Sequence, residues 1–187
     1  GILANSFHPT KQIRQLRSYM RQRDSLIKDA ATQIHRMQKC LTQMNIKLHH
    51  VISELTGKSG MAILQAILSG ERNAEFLANL CDGHIKASRE NIVKSLEASY
   101  DEDQLVILAQ CYRIYENYQN EIKTLDEIIK SQLDNFQTKA NKEDKPKNSK
   151  PRNKQPKNAF GFDIEGSLYS ITGVDVTNIT GIRGQTA

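Results

Sequence analysis

Aliphatic residues recur at every seventh position through the first third of the chain, and few folds tolerate such a row. Ile13, Met20, Ile27, Ile34, Leu41, Leu48 and Leu55 lie seven apart without a break. Three residues after each of the first six come Leu16, Arg23, Ala30, Met37, Met44 and Val51, with Arg23 the one charged intruder. A 3.5-residue repeat held over six heptads predicts a helix that buries one seam against a partner helix. Neither proline nor glycine occurs between residues 10 and 56, so the spacing predicts one helix of about 45 residues, roughly 68 Å long. The expected seam is Ile13, Leu16, Met20, Ile27, Ile34, Met37, Leu41, Met44 and Leu48.

A second row follows at residues 101–137. Leu108, Tyr115, Ile122 and Ile129 are seven apart, joined by Cys111, Tyr118 and Leu125, and Asp101, Glu102 and Asp103 crowd the start, where the helix dipole favours acids. Between the rows, residues 57–100 read as short helices. Met61–Leu68 ends at Gly70. Residues 71–81 place Phe76, Leu77 and Leu80 on one face. Ser88 caps a helix that carries Ile92, Val93 and Leu96. The chain is expected to be all-α: a long helical hairpin or coiled coil with short helices at its tip. Pairing between two copies fits the same pattern, and both arrangements together are the favoured reading.

Charge is segregated along the chain. Residues 11–50 carry nine Lys and Arg against Asp24 and Asp29, a net of +7, while residues 101–134 carry a net of −5. Arg14, Arg17 and Arg21 share one helical stripe, which Lys28, Arg36, Lys39 and Lys47 continue. A row of cations on a rigid rod can track phosphates, with an affinity that falls steeply in salt. The competing reading is a coiled-coil interaction protein whose basic helix simply pairs with its acidic one. Residues 138–158 are Lys, Asn, Pro and Gln with hardly an apolar side chain, and they read as a flexible basic linker. Beyond it Phe160, Phe162, Ile164, Leu168 and Ile171 open a new folding unit, which stops at Ala187 before a core can be assembled. The expected divisions are therefore 1–56, 57–100, 101–137, 138–158 and 159–187.

Two short glycine motifs could bind phosphate. Ile179-Thr180-Gly181-Ile182-Arg183-Gly184 matches the turn of a helix-hairpin-helix, in which glycines let backbone N–H groups converge on an anion. Leu55-Thr56-Gly57-Lys58-Ser59-Gly60 repeats the spacing with Lys58 in the apolar position. Gly57, Lys58, Gly60, Gly181, Arg183 and Gly184 therefore join the candidate nucleic-acid contacts, against the plainer reading of glycine-containing helix turns. Gly57-Lys58-Ser59 is not a P-loop, because the glycine needed five positions earlier is Ile52. Cys81 and His84 lack a second pair of ligands, and no catalytic or metal-binding constellation is readable. Cys40, Cys81 and Cys111 form no disulfide framework, and no apolar run reaches a membrane span. The expected setting is a bacterial cytoplasm. Opening at Gly1 without methionine, the chain reads as a piece of a longer protein or a processed one.

Several stretches carry a family likeness. Ile13–Tyr19 and Arg21–Asp24, the phrase from His35 to Asn45, Val51–Gly57 with Gly60–Leu64, Ser69–Arg72, Lys86–Ser88, Tyr115–Gln119 and Ile171–Asp175 with Ile179–Ile182 together resemble transposases of insertion-sequence family 110. These are DEDD, RuvC-like enzymes now described as bridge-RNA-guided recombinases. The resemblance implies a central fragment, the family's coiled coil, lying between an acidic tetrad upstream and a nucleophilic serine downstream. Neither site is assigned to a residue of this chain, so the fragment alone is expected to be inactive. The resemblance implies DNA, a structured guide RNA and further copies of the chain as partners, with no membrane or small-molecule substrate. It gives this fragment no cofactor of its own, although a divalent metal, Mg, is implied for the full-length family. Residues 159–187 would begin the truncated C-terminal transposase domain.

Overall fold

A computed structural model describes residues 9–144 and 157–176. It is all-helical, and no strand occurs among the described residues. The order is α1 (Lys11–Gln43), α2 (Lys58–Leu68), α3 (Ala74–Asn79), α4 (Arg89–Leu96), α5 (Glu102–Asp134) and α6 (Ile164–Thr172), with single 3₁₀ turns at Leu48–His50 and Lys142–Asp144. The two long helices pack against each other. Two compact units divide the chain: one from residues 1–27 and 120–187, the other from Lys28–Gln119. Each contains part of α1 and part of α5. The start of α1 lies in the unit holding the end of α5, so the pair runs antiparallel.

In α1, Thr10 supplies the start, its hydroxyl accepting the N–H of Ile13 at 3.4 Å. The helix stops at Gln43 rather than running on towards residue 56, although no proline or glycine intervenes. Asn45 adopts the left-handed conformation at φ 63°. The N–H of Ile46 donates to the Leu41 carbonyl at 2.8 Å and that of Asn45 to Thr42 at 3.0 Å. This is a Schellman turn, with Leu41 and Ile46 both buried as its apolar clasp. Asparagine is the commonest substitute for glycine there, since its side chain tolerates positive φ. Downstream, Leu48 in its 3₁₀ turn and Ile52 and Leu55 on irregular backbone are still buried.

The Lys28–Gln119 unit has a continuous apolar core. Met37, Cys40 and Leu41 from α1 and Met44 just beyond its end meet Leu108, Cys111, Tyr112 and Tyr115 from α5, with Ile63, Leu64 and Ile67 of α2, Leu77 of α3, and Ile92 and Leu96 of α4. Burying a side chain of this size contributes about 1.5–3 kcal/mol. Caps define the short helices. Asn73 accepts from the N–H groups of Glu75 and Phe76, and Ser88 from that of Asn91. Arg72 closes the end of α2 by donating to the Ile67 carbonyl at 2.6 Å, with its guanidinium over the Tyr100 ring at 4.8 Å. Phe76 departs from expectation. It is exposed, while Leu77 beside it is fully buried.

The buried stripe on α1 is also turned from the expected seam. Ala30, Gln33, Met37, Cys40, Leu41 and Met44 are buried, but Ile34 is only half-buried. In the other unit Ile13, Leu16, Met20 and Ile27 are half-buried and Arg23 is buried. The stripe thus centres on the second heptad position (23, 30, 37, 44) and the residues three further on (26, 33, 40), with the Ile13 row at its flank.

The unit of residues 1–27 and 120–187 has a sparser core. Ile129, Leu133 and Phe160 are buried, with Leu16, Tyr19, Met20, Phe162, Ile164 and Ile171 packed around them. Among the described residues, Phe160, Phe162, Ile164 and Ile171, expected to open a new folding unit, pack with side chains of the long helices' ends. Residues 138–144, expected to be linker, are tied to α6 and partly structured. The Ser170 carbonyl accepts the N–H groups of Lys139 and Ala140 at 2.7 and 3.2 Å, and residues 142–144 form a 3₁₀ turn. Residues 145–156 lie outside the described residues.

Candidate nucleic-acid interface and the Arg23–Asp126 node

On an α-helix each residue advances by about 100°, so Arg14, Arg17, Arg21, Lys28, Arg36 and Lys39 fall within an arc of about 100° on α1. That arc is opposite the buried stripe, and all six side chains are exposed. In the first unit, Arg14 donates to the Pro9 carbonyl at 2.9 Å. Arg17 and Arg21 there, and Lys28, Arg36 and Lys39 in the second unit, make no ion pair among the described residues. Lys47 lies beyond the helix end and is exposed, and its backbone N–H donates to Ser95 at 2.8 Å. Lys58 is exposed at the first position of α2.

Each glycine of the first motif has a different duty from the one its spacing suggested. Gly57 precedes α2 at φ −73°, ψ 170°, extended backbone open to any residue. Gly60 lies inside the helix. No helix leads into the motif, because residues 51–57 are turns and irregular backbone. The helix-hairpin-helix is therefore not formed at 55–60. Gly60 is needed for closeness instead: a Cβ there would stand 2.1 Å from the Leu55 carbonyl oxygen. Gly181, Arg183 and Gly184 lie outside the described residues.

No three His, Cys, Asp or Glu side chains converge among the described residues as a metal site requires. Cys81 is partly buried, which pushes its thiol pKa up, and His84 is engaged by the Asp82 carboxylate at 2.7 Å. That hydrogen bond holds the Asp82 carboxyl below its usual range. Burial likewise raises the Cys40 thiol and the Tyr112 hydroxyl, which donates to Glu116 at 2.8 Å and accepts from Gln65 at 2.7 Å. No described helix is long and apolar enough to cross a membrane.

The most heavily engaged polar group is one to which the heptad pattern gave no role. Arg23 is 3% exposed. Its Nε donates to Asp126 Oδ1 at 2.5 Å and a terminal nitrogen to Oδ2 at 3.3 Å. The same nitrogen donates to the carbonyls of Asn158 and Ala159, both at 3.2 Å. The guanidinium carbon stands 3.9 Å over the Phe160 ring, and Phe160 meets Phe162 edge-on at 5.4 Å. Asp126 Oδ2 also accepts the N–H of Gly161 at 2.9 Å. Arginine suits this position because its planar fork can satisfy a carboxylate and two carbonyls while stacking on a ring.

The exposed and buried cations of α1 therefore have separate fates. One is consumed inside the fold, while the outward row has no acid to neutralise it among the described residues. Neither a protein-family model, nor a curated protein, nor a solved structure matches this chain.

Proposed function

We propose that this chain is the central part of a DNA transposase resembling insertion-sequence family 110, in which the α1–α5 hairpin holds nucleic-acid backbone. One observation carries the reading: the outward cations of α1 are exposed, and Arg17, Arg21, Lys28, Arg36 and Lys39 lack ion-pair partners among the described residues. A helix whose charge served only to pair with an acidic neighbour would turn its arginines towards that neighbour, and among the described residues Arg23 alone of α1 forms an ion pair with α5. In this reading Arg14, Arg17, Arg21, Arg36 and Lys39 contact phosphates of DNA or structured RNA, and strand chemistry belongs to regions outside this chain. Assembly with further copies through the coiled coil belongs to the same reading. The chain's place in a bacterial cytoplasm belongs to the same proposal.

Replacing Arg14, Arg17 and Arg21 together with Gln tests it. All three are exposed, so the fold is retained. Binding to duplex DNA and to a structured RNA should weaken. On duplex DNA, the slope of log affinity against log salt should flatten by about 0.9 for each phosphate no longer neutralised. Unchanged affinity across salt removes these residues from the interface.

A further inference from the structure

In the unit of residues 1–27 and 120–187, the stretch from Asn158 to Gly161 is gripped by a few polar atoms as well as by the apolar seat of Phe160. Four consecutive residues each give something to the same ion pair: the Asn158 and Ala159 carbonyls and the Phe160 ring to Arg23, the Gly161 N–H to Asp126. The features read are mostly backbone, with one aromatic face. This is how a protein recognises a peptide segment largely by its backbone.

The remainder of the segment is largely self-sufficient. Asp163 caps α6 by accepting the N–H of Gly166 at 2.9 Å, and Gly173, left-handed at φ 75°, closes the other end by donating to Tyr169. The helix thus satisfies part of its own ends. Phe160 is buried, as are Gly166, Ser167 and Ser170 of α6, whereas Phe162, Ile164 and Ile171 are half-buried. Removing the segment would leave Arg23 and Asp126 still paired to each other through both carboxylate oxygens. Opening therefore exposes a pair to water without stranding a lone buried charge, which is the costly case.

We infer that Arg23 and Asp126 form a peptide clamp, and that residues 158–172 are a detachable strap that lifts from it as one piece while the paired helices stay folded. A cooperative local opening of this kind draws on the least buried part of a fold. The Ser170 carbonyl, bonded to Lys139 and Ala140, must release in the same step. The clamp left behind is already built for a peptide segment with an aromatic residue third in line. Neither clamp nor strap depends on the nucleic-acid reading.

Hydrogen exchange on the unmodified full chain, in low urea, tests the opening without any variant. The amides of 161–172 should exchange together, at least ten times faster than those of α1 and α5 in the same unit. Exchange of all three at one common rate would show the strap to be an integral part of the fold and overturn the proposal. A second measurement addresses the clamp. A fluorescent peptide of residues 157–173 should bind the full-length Phe160→Ala chain at least tenfold more tightly than the wild-type chain, whose own strap competes at high effective concentration. Adding Arg23→Gln should abolish that binding. Equal binding with and without Arg23 overturns the clamp, as does no binding to a Phe160→Ala chain whose helices keep their protection.

Discussion

Between Lys28 and Gln119, twenty apolar side chains are buried, among them Met37, Leu41, Ile63, Leu64, Leu96 and Leu108. In the unit of residues 1–27 and 120–187, the corresponding buried apolar core among the described residues is Ile129, Leu133 and Phe160, and beside it stands a desolvated arginine–aspartate pair. The first region is held by non-directional packing that many sequences could supply. The second is held by geometry: a guanidinium and a carboxylate that must meet each other and a passing backbone at hydrogen-bond distance. A region with little apolar surface can be tied down by such a node, and it then becomes sensitive to single atoms.

That contrast can be broken at the node first. Asp126→Ala leaves Arg23 buried without its counter-charge and should cost about 3–5 kcal/mol, read as lost protection of amides in 12–27 and 120–134. The paired replacement Arg23→Met with Asp126→Leu should recover most of that loss while leaving the strap loose. If the single and double variants unfold alike, the unit is not organised by the charge pair. In the other region, Met37→Ala should cost about 2–5 kcal/mol by opening a cavity, with urea unfolding as the measure. Its effect should stay with the amides of Lys28–Gln119. Gly60→Ala is the smallest of the three, at about 1–3 kcal/mol, because the Leu55 carbonyl must move to admit a methyl group. A neutral outcome would show that the α2 entry is looser than its 2.1 Å approach implies.

The helical hairpin was legible because it is written in local terms. The heptad rows at Ile13 and Leu108, the acids at Glu102 and Asp103 and the cap at Ser88 all act within a turn or two of themselves. Two local features lack a strong sequence signal. Asn45 ends α1 at a place marked by neither proline nor glycine. Gly60 resembles part of a phosphate-binding turn, but its conformation is helical and its role is steric. The outward cations were recognisable as a stripe, since their spacing alone places them on one face.

Arg23 shows where local reading fails. A lone arginine in an apolar row announces that an acid waits opposite, but eight acids lie between residues 101 and 134, and nothing in the spacing selects one. Asp126 is 103 positions away, and the Ala159 carbonyl 136. Choosing that partner needs the register of two antiparallel helices, and placing Phe160 on the guanidinium needs the path of the chain's return.

By itself, then, the sequence determined that this protein is helical, which residues of α1 turn outward as cations, and how the short helices are capped. These depend on bonds and periodicities that close within a few residues. Only the tertiary structure decided the rotation of the buried stripe, the partner of Arg23 and the seat of residues 158–161. Each requires two distant segments to arrive at one place together, and hydrogen bonds of fixed length and direction admit only one such arrival.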